Sequence, residues 1–235
     1  MTLDAPLRLE GPRGLLIAAP RSGSGKTTLT LGLMRAFRAG GVTVAGAKSG
    51  PDFIDPAFHE AATGRASLNL DSWAMEPALL HALAERAARG ADLILVEASM
   101  GLFDGVPAPA GRSGASADVA AALGLPVLLT LDVSGQAQSA AAIVKGCALY
   151  DARVKIAGVV LNKVGSPRHR RLASEAIEGL GIPVVGSLPK TDDIALPERH
   201  LGLVQASETE RLESRLDAMA RFVADNADLA AIRAL

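Results

Sequence analysis

The densest chemistry in the sequence lies in Ala19-Pro20-Arg21-Ser22-Gly23-Ser24-Gly25-Lys26-Thr27-Thr28. An apolar run with strand character, residues 14–19, precedes it, and a helix-forming run, residues 26–39, follows it before the Gly40-Gly41 stop. Glycines at 23 and 25 let backbone N–H groups turn toward an anion without side-chain clashes. The helix N-terminus adds a favourable partial charge for phosphate. Lys26 can reach the β- and γ-phosphates of a nucleoside triphosphate, and the Thr27 hydroxyl can offer an oxygen to Mg²⁺. The segment therefore reads as a P-loop, with Arg21, Ser22, Gly23, Ser24, Gly25, Lys26, Thr27 and Thr28 binding the nucleotide. A P-loop alone does not state the reaction.

The reaction must come from other strand ends. The second apolar run, residues 42–47, leads into Lys48-Ser49-Gly50-Pro51-Asp52-Phe53-Ile54-Asp55-Pro56. Lys48 points to the phosphate edge, and Asp52 and Asp55 follow in a loop bracketed by prolines. The third run, residues 92–96, ends at Glu97, and Asp104 follows within Met100-Gly101-Leu102-Phe103-Asp104-Gly105. An acid closing a buried strand beside a P-loop suits Mg²⁺. Mg²⁺ takes few protein ligands, so the remaining acids are free to position a second substrate.

These residues need a scaffold. Short Val/Ile/Leu-rich runs at 126–131, 155–161 and 183–188 alternate with helical stretches at 77–89, 117–123, 136–150 and 167–180. This alternation predicts an α/β fold of P-loop NTPase type, with a mostly parallel sheet and helices on both faces. Right-handed crossovers then gather every strand's C-terminal end on one edge, where ligands bind. A last helix, residues 207–222, places Leu212, Leu216, Met219 and Val223 on one face, a pattern of core packing. The stretch 106–114, rich in Pro, Gly and Ala, reads as a mobile loop.

Composition narrows the function classes. The chain has 235 residues, 24 Lys+Arg against 25 Asp+Glu, and 49% hydrophobic residues. That balance gives no support to nucleic-acid or membrane-surface binding. No signal-like or membrane-spanning segment stands out, so a cytoplasmic location is expected. The sole cysteine, Cys147, sits in a helical apolar setting and reads as buried and structural, not as a nucleophile.

Four strings together resemble cobyrinic and hydrogenobyrinic acid a,c-diamide synthases. They are Lys48 to His59, Asn69-Leu70-Asp71, Glu97-Ala98-Ser99-Met100-Gly101-Leu102-Phe103-Asp104-Gly105, and Leu196-Pro197-Glu198-Arg199-His200-Leu201-Gly202-Leu203. The resemblance runs from about residue 14 to residue 203 and implies a fold like dethiobiotin synthetase, a dimeric P-loop enzyme. It implies ATP-dependent amidation of the a and c acetates of a corrin-like tetrapyrrole. A substrate carboxylate would attack the γ-phosphorus of ATP to give an acyl phosphate, and ammonia would displace phosphate. By matching position, Lys26 and Lys48 would neutralise the two anions, and Thr27, Asp52 and Glu97 would serve Mg²⁺. Asp55 and Asp104 would orient the substrate or ammonia. Asn162, resembling a base-reading asparagine, would contact adenine, with Pro189 adding backbone contacts. His59 is divided between substrate binding and a helix surface; His81 and His169 read as exposed helix residues. His200 could line the substrate cavity, and Trp73 suits packing or a subunit contact.

The same resemblance implies a glutaminase domain or subunit as ammonia source. Residues 1–235 read as a single synthetase domain, lacking the family's C-terminal glutamine amidotransferase domain, and a homodimer is expected. Two other readings remain open. Pro20 stands where P-loops usually carry their first glycine, and Arg21 stands where one branch carries a second lysine. That branch includes partitioning-type ATPase switches. Dethiobiotin synthetase, which also phosphorylates a carboxylate, is the other. The Asp52–Asp55 and Asp104 loops count against the switch, and the Pro51-Asp52-Phe53-Ile54-Asp55-Pro56 segment counts against dethiobiotin synthetase.

Overall fold

Strands and helices alternate along nearly the whole of the computed structural model, which describes residues 13–191, 206 and 209–235. The order is β1 (Arg13–Ala18), α1 (Lys26–Ala39), β2 (Val44–Ser49), α2 (Asp55–Thr63), β3 (Leu68–Leu70), α3 (Pro77–Ala88) and β4 (Leu93–Glu97). There follow α4 (Ser116–Leu123), β5 (Val127–Asp132), α5 (Ser139–Tyr150), β6 (Ile156–Val164), α6 (Pro167–Glu178), β7 (Val184–Pro189), α7 (Leu212–Asn226) and α8 (Leu229–Ala234). The seven strands form one parallel sheet in the order β3-β2-β4-β1-β5-β6-β7. The direction of winding reverses at β1, which pairs with β4 on one side and β5 on the other. Chain topology therefore opens a crevice at the C-terminal end of β1, where the predicted P-loop begins.

The sheet is buried because its strands are apolar on both faces. Along β1, Leu15 and Ile17 face one core, with Leu29, Met34 and Phe37 of α1, Phe58 of α2 and Leu216, Met219 and Val223 of α7. Leu16 and Ala18 face the other core, with Leu80 of α3, Val119 of α4, Val144 and Cys147 of α5 and Ile177 of α6. Side chains alternate across a strand, so each strand feeds both cores. Helices α1 and α7 pack closely because position 32 is glycine. A Cβ there would lie 2.5 Å from Val223 Cγ2 and 2.8 Å from the Met219 carbonyl.

The structure differs from the expectations in a few places. Asp55-Pro56 opens a helix, not a loop: proline is tolerated in the first helical turn, where its missing N–H has no partner to lose. Strand β3 is three residues long, too short to show a period. Helix α8 adds a short C-terminal turn capped by Asp228, whose side chain accepts from Ala231 N. The closing helix begins at Leu212, later than the predicted 207, and extends to Asn226. The 106–114 stretch is tied down by Val106 N to Ser113 O (2.9 Å) and by an Arg112–Glu76 ion pair (2.6 Å). Cys147 is buried and free, and burial raises its thiol pKa, in line with a structural role. The segment 196–203, with His200, lies outside the described residues.

Candidate functional site

The P-loop, residues 19–25, leaves β1 and enters α1 at Lys26. Gly23 and Gly25 adopt positive φ of 72° and 91°, a conformation that side-chain-bearing residues resist. Ser24 is buried, and its hydroxyl donates to the Arg21 carbonyl at 3.0 Å. Lys26 is also buried, and its ammonium donates to the Met100 carbonyl at 2.6 Å. Burial lowers the Lys26 pKa, while the Glu97 charge opposes that effect. Met100 presents its carbonyl from a left-handed backbone, φ 51°, unusual for a long side chain.

Beside the P-loop, β2 and β4 end in register, pairing Lys48 with Glu97. Both side chains are buried, and Glu97 has no solvent exposure. Glu97 Oε1 accepts from the Thr27 hydroxyl at 2.6 Å and lies 3.3 Å from Lys48 Nζ. Glu97 Oε2 accepts from His59 Nε2 at 2.8 Å, and His59 Nδ1 faces the Ser67 hydroxyl at 3.1 Å. The partners assign the tautomer: Nε2–H donates to the carboxylate and Nδ1 accepts from Ser67. Desolvation alone would raise the Glu97 pKa, but Lys48, His59 and Thr27 outweigh it and hold it at about 2. Lys48 Nζ also donates to Asp55 Oδ2 at 2.5 Å and to the Ala98 carbonyl at 3.4 Å, with Asp52 Oδ2 at 3.9 Å. Desolvation works against the Lys48 charge, yet Glu97 and Asp55 leave its pKa raised. For Asp55, burial and the Glu97 charge win over Lys48, and its pKa rises.

Helix α2 explains why Asp55 and His59 belong to one cluster: a spacing of four puts them on one helical face. His59 is neither a surface residue nor placed to meet a substrate; it is fully buried and holds Glu97. Reading residues 51–56 as loop hid this spacing. Asp52 caps the same turn, its Oδ1 accepting from Ile54 N at 2.8 Å and Asp55 N at 3.1 Å. Asp104 stands apart from the network. Its Oδ2 accepts from Gly101 N at 2.8 Å, closing the turn that presents Met100 to Lys26.

The opposite side of the P-loop faces β5 and β6. Asp132, the last residue of β5, is a nearly buried carboxylate that the sequence reading missed. Its Oδ2 accepts from Lys163 Nζ at 2.8 Å and Arg21 Nη2 at 3.0 Å, and its Oδ1 from the Ser134 hydroxyl at 2.6 Å. Burial would raise its pKa, but Lys163 and Ser134 bring it to about 2. Asn162 pairs with Asp132 across the strands. Its Nδ2 donates to the Ser24 carbonyl at 2.9 Å and its Oδ1 accepts from Lys163 N at 2.9 Å. The amide thus grips the P-loop, using one Nδ2 proton and one Oδ1 lone pair. A Cβ at position 25 would collide with that amide nitrogen, so glycine is required there for space as well as for φ. Pro189, itself exposed, ends the edge strand β7, three strands from β1, about 14 Å at usual strand spacing. His169 is not simply exposed: Nδ1 accepts from Gly165 N at 3.1 Å and Nε2 meets the Gln136 carbonyl at 2.6 Å. Trp73 is largely exposed, its carbonyl taking Arg112 Nη2 at 3.2 Å.

On the β2–β4 side of the P-loop, two lysines (Lys26, Lys48) and four carboxylates (Asp52, Asp55, Glu97, Asp104) thus share one sheet edge with a phosphate-binding loop. An excess of negative charge there suits a divalent cation accompanying an anionic ligand. The Thr27 hydroxyl commits its proton to Glu97, which leaves oxygen lone pairs for a cation. Both Glu97 oxygens already accept protein hydrogen bonds, so it suits an indirect role toward that cation. Among the described residues no group of three His, Cys, Asp or Glu side chains is arranged to hold a metal by itself. The donor set fits Mg²⁺ sharing its coordination with phosphate oxygens and water.

Comparison with known proteins agrees with this geometry. Residues 15–204 match the family described as CobQ/CobB/MinD/ParA nucleotide binding domain. The chain is 56% identical over 223 residues to a hydrogenobyrinate a,c-diamide synthase of Mesorhizobium japonicum, covering 95% of this chain and 51% of that protein. It is 57% identical over 225 residues to one from Rhodobacter capsulatus, again covering 95% of this chain and 51% of that protein. The chain spans about half the length of the curated relatives it matches. The solved structure of chloroplast FtsY from Physcomitrella patens superposes with a TM-score of 0.54 at 20% identity, over 93% of this chain and 69% of that one, a likeness of fold. No helix among the described residues is long and apolar enough to cross a membrane.

Proposed function

The chain belongs to the CobQ/CobB/MinD/ParA nucleotide-binding domain family, and on that premise we propose that it is an ATP-dependent amide synthetase of cobalamin biosynthesis. Its substrate in this reading is hydrogenobyrinic acid or its cobalt form, cobyrinic acid, amidated on the a and c acetates. The observation that carries the reading is Glu97. One buried carboxylate takes the P-loop Thr27 on one oxygen and sits against Lys48, which in turn binds Asp55. The nucleotide loop and the acid-bearing start of α2, which would face a second substrate, thereby meet at one strand end.

A carboxylate cannot be amidated directly, because oxide would have to leave. In the proposed first step a substrate carboxylate oxygen forms a bond to the γ-phosphorus of ATP. The bond to the β,γ-bridging oxygen breaks, giving an acyl phosphate and ADP. In the second step ammonia forms the C–N bond, phosphate departs with the C–O electrons, and a proton is lost. When bound, Mg²⁺ would neutralise and orient the phosphate oxygens, held by Thr27 with Asp52 and Glu97 near it. Lys26 would leave the Met100 carbonyl for the β- and γ-phosphates. Lys48 would offset the repulsion between two anions, keeping its proton because Glu97 and Asp55 face it. Asp55 would orient the incoming group, and Asp104 would act by shaping the Met100 turn. A glutaminase domain or subunit would supply the ammonia, free ammonium serving in its place. A homodimer in the cytoplasm completes the reading, with exposed Leu149 and Tyr150 at the end of α5 as apolar surface for a second copy.

The test is ADP release by the purified chain with MgATP and ammonium, without corrinoid and with hydrogenobyrinic or cobyrinic acid, followed by mass analysis of the corrinoid. Corrinoid-stimulated ADP release with one or two acid-to-amide mass changes supports the reading. Bound nucleotide with no stimulation by either corrinoid form refutes it.

A further inference from the structure

Three large apolar side chains stand open to solvent on one stretch of the sheet edge. Phe53 is 78% exposed, Trp73 62% and Met100 64%. Phe53 follows β2, Trp73 follows β3 and Met100 follows β4, and these strands are neighbours in the order β3-β2-β4. Hydrogen bonds tie their loops together. Asn69 Nδ2, on β3, donates to the Asp52 carbonyl just before Phe53, and Ser99 Oγ, just before Met100, donates to the Ser49 carbonyl of β2. Among the described residues, the loops after β1, β5 and β6 expose no large apolar side chain. A single exposed apolar residue is ordinary, but three on adjacent strand ends form a patch, and patches of this kind mark binding surfaces.

The patch is continuous with the charged site. Phe53 stands between Asp52 and Asp55 in the chain, and Asp55 accepts from Lys48. Met100 gives its carbonyl to Lys26 while its side chain is open to solvent. Two buried lysines thus form a cationic floor beside an apolar rim, the complement of a ring that carries acids on its periphery. The three backbones span two strand spacings, about 10 Å, wide for a small acid and matched to a tetrapyrrole. An acetate carboxylate is joined to its ring by two C–C bonds, about 2.5 Å end to end. A carboxylate that reaches the lysines therefore brings the macrocycle itself down onto whatever surrounds them. Apolar contact is also non-directional, so a ring can turn on it to offer first one acetate and then another.

We propose that Phe53, Trp73 and Met100 form the platform on which the tetrapyrrole macrocycle rests, and that they set the preference for a large ring over a small carboxylic acid. The inference rests on the substrate assigned under the proposed function.

Trp73 is the chain's one tryptophan, so its fluorescence reports on the patch. The acrylamide quenching constant, taken from lifetimes, is measured with and without hydrogenobyrinic acid, and without ATP so that no amidation occurs. It is expected to fall when the ring covers Trp73. Calorimetry then titrates wild type, Phe53→Ala, Trp73→Ala and Met100→Ala with hydrogenobyrinic acid and, separately, with MgATP. Each variant is expected to lose about fivefold to tenfold in corrinoid affinity, the effect of removing a partly covered apolar side chain. Phe53→Ala and Trp73→Ala are expected to keep wild-type affinity for MgATP. Circular dichroism checks each fold, and truncating side chains this exposed removes little packing. Wild-type corrinoid affinity in all three variants, or unaltered quenching of the corrinoid-bound chain, overturns the proposal and leaves the patch to a second copy or another domain. Equal losses for both ligands in Phe53→Ala and Trp73→Ala make the effect structural and overturn it as well. A wild-type chain that binds MgATP but no corrinoid fails the proposed function itself, a result distinct from corrinoid binding that ignores the patch.

Discussion

Thr27 donates its hydroxyl proton to Glu97 across 2.6 Å, joining residues 70 positions apart in the chain. The contact ties the first turn of α1 to the last residue of β4. It also consumes the one proton Thr27 has, so the direction of the hydrogen bond is fixed by the ionised state of Glu97.

Replacing Glu97 by glutamine tests that arrangement. An amide offers one acceptor and one donor where Thr27, His59 and Lys48 require two acceptors. Glu97→Gln is expected to lower ADP release at least about 100-fold while the chain remains folded. ADP release near the wild-type rate would remove Glu97 from the reaction.

His59 supplies a hydrogen bond to a charge buried out of water. His59→Ala leaves Glu97 short of a donor and opens a cavity, so a loss of about 3 kcal/mol in urea unfolding is expected. Ser67→Ala removes only the partner of Nδ1 and is expected to cost about 1 kcal/mol. Equal losses in the two variants would contradict the assignment of His59 as the carboxylate's support.

Gly32 decides how closely α7 approaches α1. Gly32→Val forces an isopropyl group, whose Cβ alone already collides, into Val223 and the Met219 carbonyl, with an expected loss of about 1–3 kcal/mol. The measurement is the urea midpoint, alongside MgATP affinity of the folded chain, which is expected to stay at the wild-type value.

Acid should weaken the fold through the two depressed carboxylates. Glu97 and Asp132 have folded pKa values of about 2, against ordinary values of 4.5 and 3.8. Groups held below their unfolded values contribute stability that is full above those values and lost as pH falls toward about 2. Asp55, with a raised pKa, acts in the opposite sense. Melting temperature is expected to fall across that window, with a shallower fall in Asp132→Asn. An unchanged slope in that variant would contradict the role of Asp132.

Much of this site was legible in the sequence because local spacing carries it. Gly23, Gly25, Lys26 and Thr27 declare the P-loop within five residues, and Lys48 and Glu97 each close an apolar run. The contacts that complete the site are of another kind. Asn162 lies 138 positions from Ser24, and Asp132 lies 111 from Arg21. Nothing in the local pattern of LLTLDVSG distinguishes a strand-end acid that receives two cations from one that caps a turn. His59 was closer to hand, since its spacing from Asp55 is helical. Pro56 obscured it, because proline marks both turns and first helical turns.

The strand order has a consequence for how such a chain can change. Carboxylates grouped around Lys48 hang from β2 and β4, whereas the P-loop's supports hang from β5 and β6, and β1 lies between the two sets. The sheet is thus split into a half that carries the acid cluster and a half that braces the P-loop, which the proposed function would assign to the molecule being activated and to the nucleotide. The P-loop is touched from both sides, by Glu97 through Thr27 and by Asn162 through Ser24, so an alteration in either half can reach it.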